Sequence, residues 1–266
     1  MKGISSLFML VALAPVASVA APRPPITPWR LDYGATACTA LRAYGDKAKP
    51  ITIAIRPSPN GKVVRLVVAT KERGGDADQV DVTARLGANT VKATALHFGN
   101  RETKSDMWWI NLSRGDLEPL RQLAEMGIRG DGIDQSFALP LIGKVLDSLD
   151  TCNEDLRKYW NVEGNGTALS TFAEPLKPLP SYFSDGDYPA QAIRQGDTGR
   201  SRVMMMIDET GAMKDCLVEE TSGIATLDAM TCYVLQEKAK FRPATDAAGK
   251  PVRSVLTQGV RWRIAP

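Results

Sequence analysis

The chain holds one histidine, His97, among 266 residues. Zinc-type sites need several convergent His and Cys ligands, and the four cysteines here are dispersed at Cys38, Cys152, Cys216 and Cys232. His97 is also the sole imidazole base on offer, and its place between Leu96 and Phe98 in an apolar run reads as packing rather than catalysis. There is no C-x-x-C redox pair. No phosphate loop or dinucleotide fingerprint occurs. Ser222 beside Gly223 lies outside any G-x-S-x-G elbow and reads as a turn. Asp131, Gly132 and Asp134 lack the remaining oxygens and the closing Glu of a calcium loop. Catalysis would need a carboxylate pair assembled by the fold, so the reading is a non-enzyme without cofactor or metal. Charge of one sign is lacking as well. The 33 Lys plus Arg stand against 30 Asp plus Glu, which does not describe a nucleic-acid binder. Beyond a short run at Leu7–Leu13 no segment approaches the ~20 apolar residues of a membrane span.

What is present begins with a leader. Lys2, the apolar run and the small residues Ser18-Val19-Ala20 read as a signal peptide over residues 1–20, cut before Ala21. The mature protein is then exported, soluble and free of a membrane span. Ala21-Pro22-Arg23-Pro24-Pro25 forms an extended lead-in to an N-terminal domain over residues 26–162. A short helix is expected over Asp32–Tyr44, carrying Cys38 and Leu41. Strands follow over Ile51–Ile55, Lys62–Ala69, Val80–Leu86, Val91–Phe98 and Met107–Leu112, with Pro57-Ser58-Pro59-Asn60-Gly61 as a turn. In a strand, Trp108 and Trp109 send their rings to opposite faces, one to the core and the other against a following helix or onto a binding surface. Ser113 with Asp116 suggests a capped helix through Leu117, Leu120 and Ala124, ending at Gly127, and residues 128–136 read as a loop. A second helix is expected over Leu141–Tyr159 with Val145, Leu149 and Cys152 on one stripe. Residues 163–182, with Gly164, Gly166, Pro175, Pro178 and Pro180, form a linker whose Leu169, Phe172, Leu176 and Leu179 suit packing on one domain.

The last stretch, residues 183–266, is the most ordered in pattern. Val203-Met204-Met205-Met206-Ile207 and Met213–Glu219 flank a Gly-bearing turn and read as a hairpin. A soft-metal site is excluded for the three methionines, because neighbours on a strand point to opposite faces. Met205 joins Val203 and Ile207 on one face and leaves Met204 and Met206 on the other. A helix over Thr226–Phe241 carries Leu227, Met230 and Val234 on one stripe. Thr226 is its expected cap, Asp228 suits the dipole, and Pro243 is the stop. After Gly249-Lys250-Pro251 a final strand places Val252, Leu256, Val260, Trp262 and Ile264 on one parity, with Arg253, Arg261 and Arg263 on the other. Strand, strand, helix, strand is a small sheet with a helix on one face. The fold class is α+β, with a mostly β domain and flanking helices ahead of this unit.

Tyr188-Pro189, the strand and turn 203–211, Ser222-Gly223 before Leu227-Asp228, Phe241-Arg242-Pro243-Ala244, Gly249-Lys250-Pro251-Val252 and Val260-Arg261-Trp262-Arg263-Ile264 occur in the order of a known pattern. The stretch resembles the C-terminal domain of TonB family proteins. The resemblance implies a periplasmic protein-binding or adaptor module whose last strand adds a short segment of an outer-membrane receptor. The matching positions are Val255, Thr257, Gly259, Arg261 and Arg263, and the arginines either attract an acidic partner or guard the edge. A homodimer through the same edge is a further use. The chain departs from a full energy transducer, which has an anchor and a long proline-rich segment, for residues 163–182 reach at most ~70 Å. The alternative is a non-catalytic structural or envelope-stress protein whose TonB-like domain packs on its own N-terminal half.

Four cysteines in an exported chain allow three pairings. Cys38 with Cys152 would join the first and last elements of the N-terminal domain, worth ~4–5 kcal/mol on the chain-entropy model. Cys216 on the second strand and Cys232 on the helix that covers it would staple the C-terminal unit. Free buried thiols and crossed pairing between the halves are the rivals. The leader itself gives a direct expectation: intact-mass measurement of the exported protein should find it lacking Met1–Ala20, and retention of those residues in a membrane fraction would refute cleavage.

Overall fold

Strict alternation of apolar residues governs the N-terminal half. The computed structural model describes residues 21–71, 77–100, 104–164 and 166–264, so the leader expected over residues 1–20 lies outside the described residues. Nine strands follow one another: β1 (Arg30–Tyr33), β2 (Cys38–Gly45), β3 (Pro50–Pro57), β4 (Val63–Thr70), β5 (Asp78–Leu86), β6 (Asn89–Asn100), β7 (Ser105–Ser113), β8 (Glu125–Gly130) and β9 (Ile133–Ala138). They form one antiparallel sheet in the order β1-β2-β3-β4-β7-β6-β5-β8-β9. The lead-in before β1 closes it. Arg23 bonds β9 through Arg23 N–H to Ser136 O (2.8 Å) and Ala138 N–H to Arg23 O (3.0 Å), and Ile26 N–H donates to Ala43 O of β2 (2.9 Å). The sheet is therefore a barrel, which leaves few open edges. Ile53, Ile55, Leu66, Leu86, Ile110, Met126 and Phe137 fill it. One long helix, α1 (Ile142–Tyr159), turns Val145, Leu149, Cys152 and Leu156 into the same core. A disulfide joins Cys38 of β2 to Cys152 of α1 across 114 residues.

Three sequence expectations in this half fail. Residues 32–44 are not a helix but the β1–β2 hairpin, because Cys38, Ala40 and Tyr44 alternate into the barrel with no exposure. The expected helix after Ser113 is a 3-10 turn over Arg114–Arg121. Asp116 does accept from Ser113 N–H (3.1 Å). Pro119, lacking a donor, falls inside that turn and Ala124 lies beyond it. Residues 128–136 are not a loop but most of the β8–β9 hairpin, turned by Asp131-Gly132 with Gly132 at φ 72°. That dipeptide is itself a hairpin signal.

The second unit begins earlier than its pattern suggests. β10 (Leu169–Thr171) and β11 (Glu174–Pro175) come from the linker region, followed by α2 (Ala190–Gln195), β12 (Gly199–Ile207), β13 (Met213–Glu220) and α3 (Ala225–Lys238). Then come β14 (Phe241–Arg242), β15 (Ala244–Asp246), β16 (Pro251–Val252) and β17 (Ser254–Trp262). The main sheet is β13-β12-β17, while β10 pairs with β15 and β11 with β14. The linker region is thus strapped to the later unit, and Ala173 and Leu179 belong to its core. Val203, Met205 and Ile207 face α3 with Val218 and Leu235, and Cys216 is bonded to Cys232 of α3. That bond closes 16 residues, worth roughly 3 kcal/mol in a small unit. Two details differ from the pattern. The final strand breaks at Arg253, so Val252 pairs in β16 and Ile264 is exposed. The residue before α3 is Ile224, and Thr226 makes no cap; its hydroxyl donates to Gln79 Oε1 (3.2 Å).

Met204, Met206 and Leu217 face away from α3 and join the buried cluster that includes the barrel core, with Val255 packed against it. The central strand β12 is thereby covered on both sides. Polar bonds rim this docking. Arg56 of β3 pairs with Asp215 of β13. Gln79 and Gln191 exchange two bonds, N–H to Oε1 (2.8 Å) and Nε2 to C=O (3.0 Å). Thr94 Oγ1 donates to Gly223 O (2.9 Å) and accepts from Ala225 N–H (2.8 Å). Trp109 points to this outer side under Arg65, whose guanidinium lies 4.9 Å from the ring centre, while Trp108 is in the barrel.

A carboxylate is trapped in the same layer. Glu219 of β13 is 2 % exposed. Burial pushes its pKa from 4.5 up to about 7, opposed by Ser58, Lys62 and Arg202 and reinforced by Glu163. A raised carboxyl pKa favours the folded form while the group is protonated. Stability should therefore fall as pH rises from about 4.5 to about 7, by at most about 3 kcal/mol. Glu219→Gln should flatten urea-derived stability across that window and raise it above pH 7; an unchanged slope would refute the assignment. A second expectation concerns the covered face. Met206→Asp places an unpaired charge at a site with no exposure and should cost about 3 kcal/mol or more in urea unfolding. The isolated fragment 183–264 should self-associate in sedimentation, because its Met204, Met206 and Leu217 would face water.

Candidate partner-binding edge

Strand β17 borders the small sheet. It pairs with β12 from Gly199↔Trp262 to Ile207↔Ser254, and among the described residues no strand lies on its other side. Which of its backbone groups point outward follows from the β12–β13 turn. Asp208 N–H donates to Ala212 O and Gly211 N–H to Asp208 O, both at 3.0 Å, with Gly211 at φ 81°. Hydrogen bonding alternates along an antiparallel pair, so Asp208 assigns the even residues of β12 to β13 and the odd ones to β17. The ladder's irregularities insert their extra residues in β13 and leave the parity of β12 intact. Val203, Met205 and Ile207 oppose Gln258, Leu256 and Ser254. The backbone N–H and C=O groups of Val255, Thr257, Gly259 and Arg261 are then the outward ones. Two side-chain contacts agree with this parity: Gln258 Nε2 donates to Gly259 O (3.0 Å), and Asn161 Nδ2 to Arg253 O (2.6 Å).

The turn is held by Asp208. Although its burial acts the other way, donors from Thr210, Lys214 and the Ala212 and Thr210 backbone bring its pKa down to about 2. At the far end, Trp262 anchors β17 to α3. Its Nε1 donates to Thr231 Oγ1 (2.9 Å), and Phe183 and Tyr188 meet its ring edge-on at 5.6 and 5.2 Å. Asp228, 1 % exposed in the first turn of α3, accepts from Ser201 Oγ (2.6 Å), Thr221 Oγ1 and Ser222 N–H (2.9 Å). Leu256 and Val260 pack toward the helix side. The strand is thus fixed to the helix and the central strand, and its outer rim is open.

The arginines expected as one outward row separate. Arg253 lies outside β17, pairs with Glu209 at 2.5 Å and sits 3.9 Å from the Tyr159 ring centre. Arg261 and Arg263 are exposed at the other end. Arg200 stands opposite Arg261, and Arg202 opposite Gly259, on β12. Sequence reasoning passed over Arg200 and Arg202; their alternation with the buried Ser201 was the available signal. His97 stacks on Trp108 at 4.4 Å, in keeping with a packing role. Neither tryptophan lines the roughly 710 Å³ groove between the β1–β2 turn and α1, which is bounded by Tyr33, Ala35, Thr151, Leu156 and Tyr159.

No helix among the described residues is long and apolar enough to cross a membrane. No curated protein matches the chain. Residues 185–264, which hold α2, the β13-β12-β17 sheet and α3, match the family described as the Gram-negative bacterial TonB protein C-terminal domain.

Proposed function

We propose that this chain is an exported periplasmic binding or adaptor protein, and that the free rim of β17 accepts an extended segment of an outer-membrane receptor. The observation that carries the reading is the set of outward backbone groups at Val255, Thr257, Gly259 and Arg261 on a strand that has no second neighbour among the described residues. An added strand would satisfy those groups and take its specificity from side chains beside them. The family match of residues 185–264 supports a role in the Gram-negative envelope and a non-enzymatic one. A second copy of the chain could use the same rim.

The docking of the sheet on the barrel favours a second reading, a structural envelope protein whose TonB-like unit serves its own N-terminal half. Met204, Met206 and Leu217 are committed to that contact. The two readings part at Thr257, whose N–H faces outward, so that proline there removes a donor from the rim without breaking the bonds to β12. Thr257→Pro should weaken binding of receptor-segment peptides by at least tenfold in titration, while the melting temperature changes little. Unchanged binding by a folded variant would remove this rim as the site and leave the structural reading.

A further inference from the structure

At Gly259 of β17 the side chain of Arg200, from the neighbouring strand, takes the space a Cβ would fill. A Cβ built there would fall 2.8 Å from Nη2, 2.9 Å from Nε and 3.3 Å from Cζ of Arg200. Arg200 belongs to β12, one strand inward, and is exposed. Its guanidinium therefore lies over Gly259, on the face that glycine leaves bare. Arg202 has a counter-charge close by, since Glu220 is its register partner on β13. Arg200 and Arg261 differ: they oppose each other in register, and among the described residues no carboxylate forms an ion pair with either. Two like charges held side by side repel.

We propose that Arg200, laid across Gly259, is a specificity-determining residue that selects an extended peptide bearing a carboxylate at the position pairing with Gly259. The proposal rests on the strand-addition reading of this rim. Directly opposed residues on neighbouring strands have Cβ atoms about 5 Å apart. A partner Asp or Glu opposite Gly259, on the same face, comes within reach of the guanidinium, with Arg261 beside it. Arginine's fork suits such a carboxylate better than a point charge does. Any side chain at Gly259 would push Arg200 off this path, so glycine and arginine act as one device.

The test uses the full mature chain and labelled ten-residue peptides of Val, Thr and Ser that carry one Asp, one Lys or neither, walked through every position. For wild type, Asp at one position is expected to bind about tenfold tighter than Lys at the same position in low salt, with the gap narrowing at 0.5 M salt. Arg200→Ala and Gly259→Ala should both bring the Asp-to-Lys affinity ratio at that position to about one, while Arg200→Lys keeps part of it. Thr257→Pro should weaken all peptides alike. Peptides that respond to Thr257→Pro but not to charge, or a preference that survives Arg200→Ala, overturn the Arg200 proposal and spare strand addition. Peptides that fail to bind wild type, or that ignore Thr257→Pro, overturn both. Equal, Arg200-dependent binding of anionic vesicles and of Asp peptides at every position would also overturn it, since the arginines would then be a general polyanion patch.

Discussion

Everything in the C-terminal unit depends on β12 being buried on both faces. Val203, Met205 and Ile207 pack under α3, and Met204 and Met206 face the barrel. A strand covered on one side only would alternate apolar with polar residues, whereas this one is continuously apolar from Val203 to Ile207. The flexible methionine side chain suits the task, because a layer that meets two differently shaped surfaces has irregular gaps to fill. With both faces spent, the sheet has only its borders left for a partner. On the proposed reading, recognition there would run along a line of backbone groups and the charges beside it.

Much of this was legible beforehand because period-two and helical patterns report directly on faces. The two faces of the methionine run, the helix expected over Thr226–Phe241, and the inward Leu256, Val260 and Trp262 follow from parity or stripe, although the helix stops at Lys238 and Phe241 pairs in β14. Other features lay beyond it because they depend on what the chain meets later. Cys38 and Leu41, three apart, have helical spacing, but in the barrel strand that odd separation puts them on opposite faces, with Cys38 alone in the core. The carboxylate of Asp228 looked like a helix-dipole residue and is one, yet it also gathers Ser201, Thr221 and Ser222 from two other elements. The crossing of Arg200 over Gly259 is a register effect between residues 59 positions apart, which no local pattern encodes.

The docking layer combines apolar contact with costly polar groups. Glu219 is buried without a strong partner, and Arg65 is drawn down to about 10 by burial and by Arg56, with Asp215 and Asp228 acting the other way. Groups of this kind stabilise little by themselves, but a shift of one residue would break the Arg56–Asp215 pair beside them and leave two more charges uncompensated. Such a layer suits a fixed arrangement of barrel and sheet better than a sliding one.

The strand that closes the barrel sets the reach of the whole protein. Arg23 is already bonded to β9, so only Ala21 and Pro22 separate the built structure from the expected leader boundary at Ala20. Two residues of slack span no more than ~7 Å. At the other end the linker region is strapped to the sheet rather than loose. The distance from the chain's first strand to β17 is then set by the fold rather than by a slack linker between the two.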